Sequence, residues 1–174
     1  MSAPNIRKKV LKPVTSKWLC GLVAVVFLAG CGKVPPITEA DLRVASLADV
    51  PAWNPAWAGT PFGESVGAGG AVSCHGFVDL VGPSDDGTGS RIEGWAWDVS
   101  ASKPFPAVIV TDADGAVRGA GVTMTVRKDV SAAMPSIVKD DRVGFLAFAD
   151  APPEGLIVYG YDGSGDTYCR LSAN

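Results

Sequence analysis

The sequence predicts an all-β domain over residues 72–174, an antiparallel β-sandwich of about seven strands with an Ig-like or related arrangement. Two observations support this prediction. From residue 72 onward, short runs rich in Val, Ile and aromatic residues alternate with clusters of Gly, Asp, Ser and Pro, as strands alternate with tight turns. No apolar run there has the spacing and length of a long helix, and many short strands without helices favour two packed antiparallel sheets.

These runs place the individual strands. Asp114-Gly115 lies between the third and fourth strands and is a hairpin signal, because Gly adopts positive φ without a Cβ clash. The stretch "YDGSGDTY" marks a second turn of this kind. Only "RKDVSAAMP" interrupts the pattern, and we expect Asp129 to cap one helical turn there that ends before Pro135. The predicted strands are 72–81, 90–98, 106–112, 116–126, 142–149, 155–162 and 166–171.

Aromatic and aliphatic positions predict the core of this domain. Trp95 and Trp97 lie two residues apart, so both side chains face the same side of one strand. We expect Ile109, Phe145 and Val158 to complete the same interior. A chain of this length can bury a substantial core.

The first 30 residues have the pattern of a secretory signal. Five basic residues and no acid occur within the first 17 positions, and a short apolar run follows at Trp18–Ala29. As a helix, that run would reach only about 18 Å. The hydrocarbon core of a membrane is about 30 Å thick, so the run indicates a signal peptide and not a transmembrane helix.

The end of the run is more specific. Leu28-Ala29-Gly30-Cys31 resembles the lipobox of bacterial lipoproteins. In that family the cysteine thiol receives a diacylglyceryl group, the signal peptide is cut just before it, and the new amine is often acylated as well. The resemblance implies a signal peptide over residues 1–30 and a mature chain tethered to a membrane through acyl chains on Cys31. The alternative is an ordinary signal peptide that contains a cysteine.

The residue after the cysteine bears on location. Inner-membrane retention in Gram-negative members of the family typically needs Asp at that position, and this chain has Gly32. The resemblance therefore implies an outer-membrane protein that faces the periplasm or the cell surface.

Residues 31–71 are predicted to be a lipidated N-terminus and spacer, rich in Pro, Gly and Ala. Thr38 is expected to cap a short helix over 38–48. The rest of the segment has turn residues without a sustained period. We expect it to dock partly on the domain through Trp53, Trp57 and Phe62.

The net charge of the mature chain disfavours nucleic acid as a partner. The chain has 15 Lys and Arg against 18 Asp and Glu, and five of the basic residues but none of the acids precede Cys31. The mature chain would therefore hold ten positive and 18 negative side chains, a net charge of −8. Nucleic-acid binding depends on neutralising phosphates with cations, so it is disfavoured.

Two cysteines remain after lipidation of Cys31. Cys74 and Cys169 lie near the first and last predicted strands, and an exported protein meets an oxidising compartment. We predict that they form a disulfide that joins the two ends of the domain. The alternative is a pair of buried thiols that never meet.

A second resemblance concerns the domain itself. Four motifs are similar to those of a β-sandwich module that occurs in bacterial envelope proteins, appended to membrane glycosyltransferase-like and other surface proteins. They are Gly94-Trp95-Ala96, Asp114-Gly115, Arg127-Lys128-Asp129-Val130 and Gly144-Phe145. The resemblance covers about residues 72–171, with Lys128 where members often have Pro. It implies the fold and leaves the activity undefined.

Each motif residue has a structural interpretation. Trp95 fills the core, Gly94 and Gly144 allow close approach of the backbone, Asp129 caps the helical turn, and Arg127 pairs with a carboxylate or with carbonyl groups. The alternative is that Arg127 and Asp129 form a ligand-binding pair.

No residue pattern predicts catalysis, a cofactor or a metal site. His75, the single histidine, is next to Cys74 on a strand, and neighbours on a strand face opposite sides, so they do not form a nucleophile pair. Carboxylates gather at predicted hairpin tips, where Ca²⁺ ligands also occur, but Asp is a turn residue in its own right. Those carboxylates are Asp112, Asp114, Asp162 and Asp166.

The function predicted from the sequence is a non-catalytic, lipid-anchored envelope protein whose domain binds other envelope proteins or serves a structural role. An exposed strand edge that recruits another strand provides the mechanism for protein binding. The alternative is recognition of envelope polysaccharide through Trp53 and Trp57. An enzymatic role is a remote alternative.

Overall fold

The computed structural model describes residues 44–67, 69–165 and 167–173. The predicted signal peptide, Cys31 and most of the predicted helix 38–48 lie outside the described residues. Within them the chain is built from ten strands and a few single turns of helix. The all-β prediction is therefore confirmed.

The strands agree closely with the sequence prediction. Each of the predicted strands corresponds to one in the structure, with ends that agree within two residues. Three further strands of two residues each are too short to show a periodic pattern. In chain order the strands are β1 (Gly70–Ala71), β2 (Cys74–Pro83), β3 (Ser90–Asp98), β4 (Lys103–Pro104), β5 (Ala107–Thr111), β6 (Val117–Thr125), β7 (Gly144–Ala149), β8 (Ile157–Tyr161), β9 (Thr167–Arg170) and β10 (Ser172–Ala173).

The strands form one continuous hydrogen-bonded sheet, in the order β1-β9-β8-β5-β6-β7-β3-β2-β10, with β4 paired to β3. The layout thus differs from two separate antiparallel sheets. It is also mixed, because β1 pairs with β9 and β10 pairs with β2 in parallel. The C-terminal segment explains the difference: its first part pairs with β8 and its last two residues pair with β2, so the two ends of the sheet are drawn together and the sheet curls.

The predicted disulfide is present and spans this curl. Cys74 on β2 is bonded to Cys169 on β9, with Cα atoms 6.2 Å apart. The two strands lie near opposite ends of the sheet order, and the cysteines are 95 residues apart in sequence. The bond therefore fastens the seam where the sheet closes on itself.

The core consists of three clusters and not of one interior. The first fills the inside of the curl and includes Phe145 and Val158, as predicted. The second lies on the outer face and includes Ile109, which the sequence placed with the first. Trp95 and Trp97 share a face, as predicted, but belong to the third cluster, also outside the curl.

The N-terminal segment creates the second cluster. Residues 44–66 contain two 3₁₀ turns, Leu47–Asp49 and Pro55–Trp57, and the short helix α1 (Phe62–Ser65). They cover the outer face of β5, so all five residues of that strand are buried. The alternation in β5 hence sends Val108 inward and Ile109 outward into an equally apolar environment.

The third cluster is covered by the helix α2 (Lys128–Ala133) and the turn after it, through Val130 and Val138. The helix ends before Pro135, as predicted. It begins two residues earlier than predicted, with Arg127 at the N-cap, so the prediction that Asp129 caps the helix is wrong. The Asp129 carboxylate binds the Arg127 side chain.

Among the helices that the structure describes, none has both the length and the apolar composition to cross a membrane.

Candidate functional site

Residues from three of the four sequence motifs, Gly94, Phe145 and Asp129, lie around Arg127, between β6 and α2. Its Nε donates to Oδ1 of Asp129 at 2.9 Å and its second terminal nitrogen donates to Oδ2 at 2.7 Å, a bidentate pair. The other terminal nitrogen donates to Asp79 of β2. The hydrogen bond from Arg127 holds the pKa of Asp129 below its ordinary value, and the two carboxylates raise the pKa of Arg127.

A β-bulge turns Asp79 toward Arg127. Val78 is paired with Gly94 and Leu80 with Glu93, so the register of β2 against β3 skips Asp79. A bulge places two successive side chains on the same side of a strand and re-aims them. Asp79 and Leu80 are both exposed, which fits that arrangement.

Small residues let the motif side chains approach one another. A Cβ on Gly94 would lie 2.6 Å from the Phe145 ring, and a Cβ on Gly144 would lie 2.8 Å from Cγ of Arg127. Gly94, Phe145 and Arg127 line one open depression of about 450 Å³ together with Asp79, Leu80, Glu93 and Thr125. The glycines thus serve close packing, and the pairing of Arg127 with a carboxylate agrees with its structural interpretation.

Two large apolar side chains are exposed in and beside this depression. Leu80 is 54% exposed, and Val126, next to Arg127, is 51% exposed. Both edges of the Arg127 guanidinium group are bound to carboxylates, so the charge of Arg127 is compensated within the site.

The structure places Cys74 in a disulfide and His75 on the exposed face of β2. The Cys74 sulfur is in the disulfide and has no thiol to donate or ionise. His75 is paired with Trp97 in the ladder and its side chain is exposed.

The aspartates of the turns accept hydrogen bonds from nearby residues of the same turns. Asp112 accepts Nε of Arg118 at 2.8 Å and the N–H of Ala116 at 2.9 Å, and these bonds lower its pKa. Burial opposes ionisation of Asp162, but hydrogen bonds from Ser164 and Thr167 outweigh it and lower the pKa. Asp166 lies outside the described residues, and within them no three His, Cys, Asp or Glu side chains are grouped to hold a metal ion.

Both candidate sugar-stacking residues are half-buried. Trp53 and Trp57 pack against the second cluster as part of the N-terminal cover. Trp57 also lines a shallow depression of about 220 Å³ with Thr60, Glu64 and Ser65. Its ring therefore has both a docked part and a part that faces hydroxyl and carboxylate groups.

One further feature, a groove at the seam of the sheet, was not predicted from the sequence. It has a volume of about 410 Å³ and lies between the second half of β2 and the segments 156–158 and 170–173. Pro83 is its one sequence signal, because Pro within a sheet is confined to edges.

Comparison with known proteins adds no relative. No family model matches the chain, no curated protein shows significant similarity to it, and no solved structure matches its fold significantly. The resemblances to the lipobox and to the envelope module therefore depend on the residues of this chain alone.

Proposed function

We propose that this protein is a lipid-anchored, non-catalytic component of the bacterial cell envelope that binds another envelope protein through its curled sheet. The anchor is the acylated Cys31 at the end of the lipobox-like stretch Leu28–Cys31. Two acyl chains hold a protein stably at a bilayer, whereas one is marginal. Cleavage before Cys31 removes the basic N-terminus and leaves an anionic body on the tether.

The observation that carries the binding role is the unpaired half of β2. In the described chain, β10 pairs with β2 only at Phe77 and Val78, and the stretch from Leu80 to Pro83 has β3 on one side and no strand on the other. Such an edge offers free N–H and C=O groups to an incoming strand. Leu80, at the start of that stretch, is 54% exposed.

Crosslinking from inside intact membranes tests this role. A photoreactive amino acid at Leu80 is expected to yield one discrete adduct with an envelope protein. The same amino acid at Ala133, an exposed position on α2, is expected to yield none. A chain that gives no adduct from position 80, or the same diffuse products from both positions, contradicts the proposal.

A second function, recognition of envelope polysaccharide, is favoured by the depression at Trp57. An aromatic ring beside hydroxyls and a carboxylate is a chemistry that suits a sugar, which presents both an apolar face and hydroxyl groups. Titration with polysaccharide purified from the envelope should then change tryptophan fluorescence in the wild-type protein and not in Trp57→Ala. An equal change in the variant excludes this site.

A further inference from the structure

The open side of β2 presents a defined set of backbone groups. The N–H of Ser84 donates to the carbonyl of Gly89 at 2.9 Å, which makes that pair a hydrogen-bonded one. Hydrogen-bonded and non-hydrogen-bonded pairs alternate along an antiparallel ladder. The N–H and C=O of Val81 and the C=O of Pro83 therefore point away from β3, toward the groove.

The groove itself reaches the inner core. Val78 and Leu171 on its walls are buried members of the first cluster, and Val81 and Leu156 pack against that cluster while remaining partly exposed. Ile157 completes the apolar wall on the side of β8. An apolar side chain that enters here would thus meet the core of the molecule and not its outer surface.

One charged side chain lines the groove. Of the described residues, Arg170 is the single charged one in its lining, and it is exposed. Among the described residues it has no ion-pair partner, whereas Arg91, Arg118, Arg127 and Arg142 each have one. In a mature chain with a net charge of −8, this guanidinium is a local exception that favours a carboxylate.

We propose that this groove accepts an extended segment of the partner protein as an added strand beside Val81–Pro83, with apolar side chains in the groove and an Asp or Glu against Arg170. The proposal rests on the proposed function and names the chemistry of its partner. The unpaired stretch from Leu80 to Pro83 is about 13 Å long, enough for a strand of four residues. A fatty acid would satisfy the apolar wall and Arg170 but would leave the backbone groups of Val81 unused.

Peptide binding to the detergent-solubilised full-length protein tests the proposal. The probes are three fluorescein-labelled eight-residue peptides of alternating Val and Thr, with Glu, Gln or Lys at the centre. We expect the Glu peptide to bind about tenfold more tightly than the Gln peptide, as one charge-assisted hydrogen bond predicts, and the Lys peptide to bind least. Equal affinity for all three overturns the proposal.

Charge reversal supplies the matched control. Arg170→Glu is expected to invert the order so that the Lys peptide binds best. Lys128→Glu, the same charge change on the exposed face of α2, is expected to leave the order unchanged. An unchanged order in Arg170→Glu overturns the assignment of this residue.

A measurement on the wild-type protein tests the proposal without any variant. Bound Glu peptide is expected to slow hydrogen exchange at the Val81 amide. Unchanged exchange there, displacement of the peptide by oleate, or a dimer of this chain that excludes the peptide would each overturn a partner strand. If none of the three peptides binds the wild-type protein but the Leu80 adduct forms in membranes, the groove is wrong as the docking site while the proposed function stands.

Discussion

Arg127 binds Asp79 on β2, which lies 48 residues earlier in the chain, and Asp129 at the start of α2. Its guanidinium group therefore links the strand to the helix. The ion pairs are partly exposed, so each stabilises the fold only modestly. Their effect is chiefly geometric: they fix the direction in which the β2 bulge and the helix meet. Gly94 and Gly144, which lie beside these ion pairs, contribute by having no Cβ, so that Phe145 and Arg127 can pack closely against the backbone.

Substitution of Gly94 tests the close packing at this scale. A Cβ at position 94 would lie 2.6 Å from the Phe145 ring and closer still to the Phe77 carbonyl oxygen. Overpacking of this kind typically costs about 1–3 kcal/mol, so Gly94→Ala should lower the free energy of unfolding by that amount in urea denaturation. Gly82→Ala, on the neighbouring strand β2, meets no atom within 4 Å and should change it little. Equal effects at both positions would refute the packing argument.

Because the turn aspartates have lowered pKa values, we expect the folded protein to lose stability at acid pH. The pKa of Asp162 is lowered from 3.8, and hydrogen bonds from Ser84 and Thr88 lower that of Asp86 to about 2. Carboxyls with a depressed pKa in the folded state stabilise the fold above their unfolded pKa. That stabilisation is lost as the pH falls from about 4 toward the folded values.

Asp162→Asn separates this effect from general acid damage. The variant should have a lower Tm than the wild type at pH 7, measured by circular dichroism, and the difference should shrink as the pH is lowered to 2. Glu154→Gln, at an exposed position in a loop, should match the wild type throughout. A difference between Asp162→Asn and the wild type that stays constant with pH would contradict the linkage.

At the scale of elements, the strands were predictable because each carries its own signal. Alternating apolar residues and turn residues such as Asp114-Gly115 are local, and the ladder from β2 to β9 follows them. The curl was not predictable, because it depends on β1 and β10, strands of two residues that have no period. The bulge at Asp79 likewise reflects its pairing with Arg127 and not a local preference.

Docking of the N-terminal cover was predicted from Trp53, Trp57 and Phe62, and the sequence holds a second signal for it. Val44, Leu47, Val50 and Trp53 recur every third residue, and all four belong to the second cluster. The Pro and Gly content of the region concealed this spacing. Pairing of Cys74 with Cys169 was predictable from the compartment and from their positions near the two ends of the domain.

Removal of the Cys74–Cys169 disulfide should lower the free energy of unfolding. A bond that closes a loop of this length stabilises by roughly 2–4 kcal/mol, by restricting the unfolded chain. Cys74→Ser combined with Cys169→Ser should lower the free energy of unfolding in urea by about that amount. Reductant should lower the wild type to the same level and leave the double variant unaffected. A reductant effect on the double variant would show another cause.

The N-terminal cover should stabilise the sheet that it packs on. The Phe62 ring is stacked on Tyr159 with centroids 4.5 Å apart and meets Tyr168 edge-on at 5.1 Å. Because the ring is half-buried, Phe62→Ala should lower the free energy of unfolding by about 2 kcal/mol, less than a fully buried Phe. Val99→Ala, at a residue that is 36% exposed, should cost less. Equal losses would indicate that the cover contributes nothing specific.

For the whole molecule, the sequence predicts a tether from a short motif and the domain from strand periodicity. It did not predict the groove at the seam, because the groove depends on the pairing of β10 with β2, which in the described residues involves only Phe77 and Val78. The apolar wall and Arg170 come from segments far apart in sequence and meet only in the fold.

The lipid anchor can be tested by the intact mass of the protein extracted from membranes with detergent. We expect a polypeptide that begins at Cys31, lacks residues 1–30 and carries the added mass of a diacylglyceryl group. A mass that corresponds to a chain beginning at Met1, or to an unmodified Cys31, would contradict it.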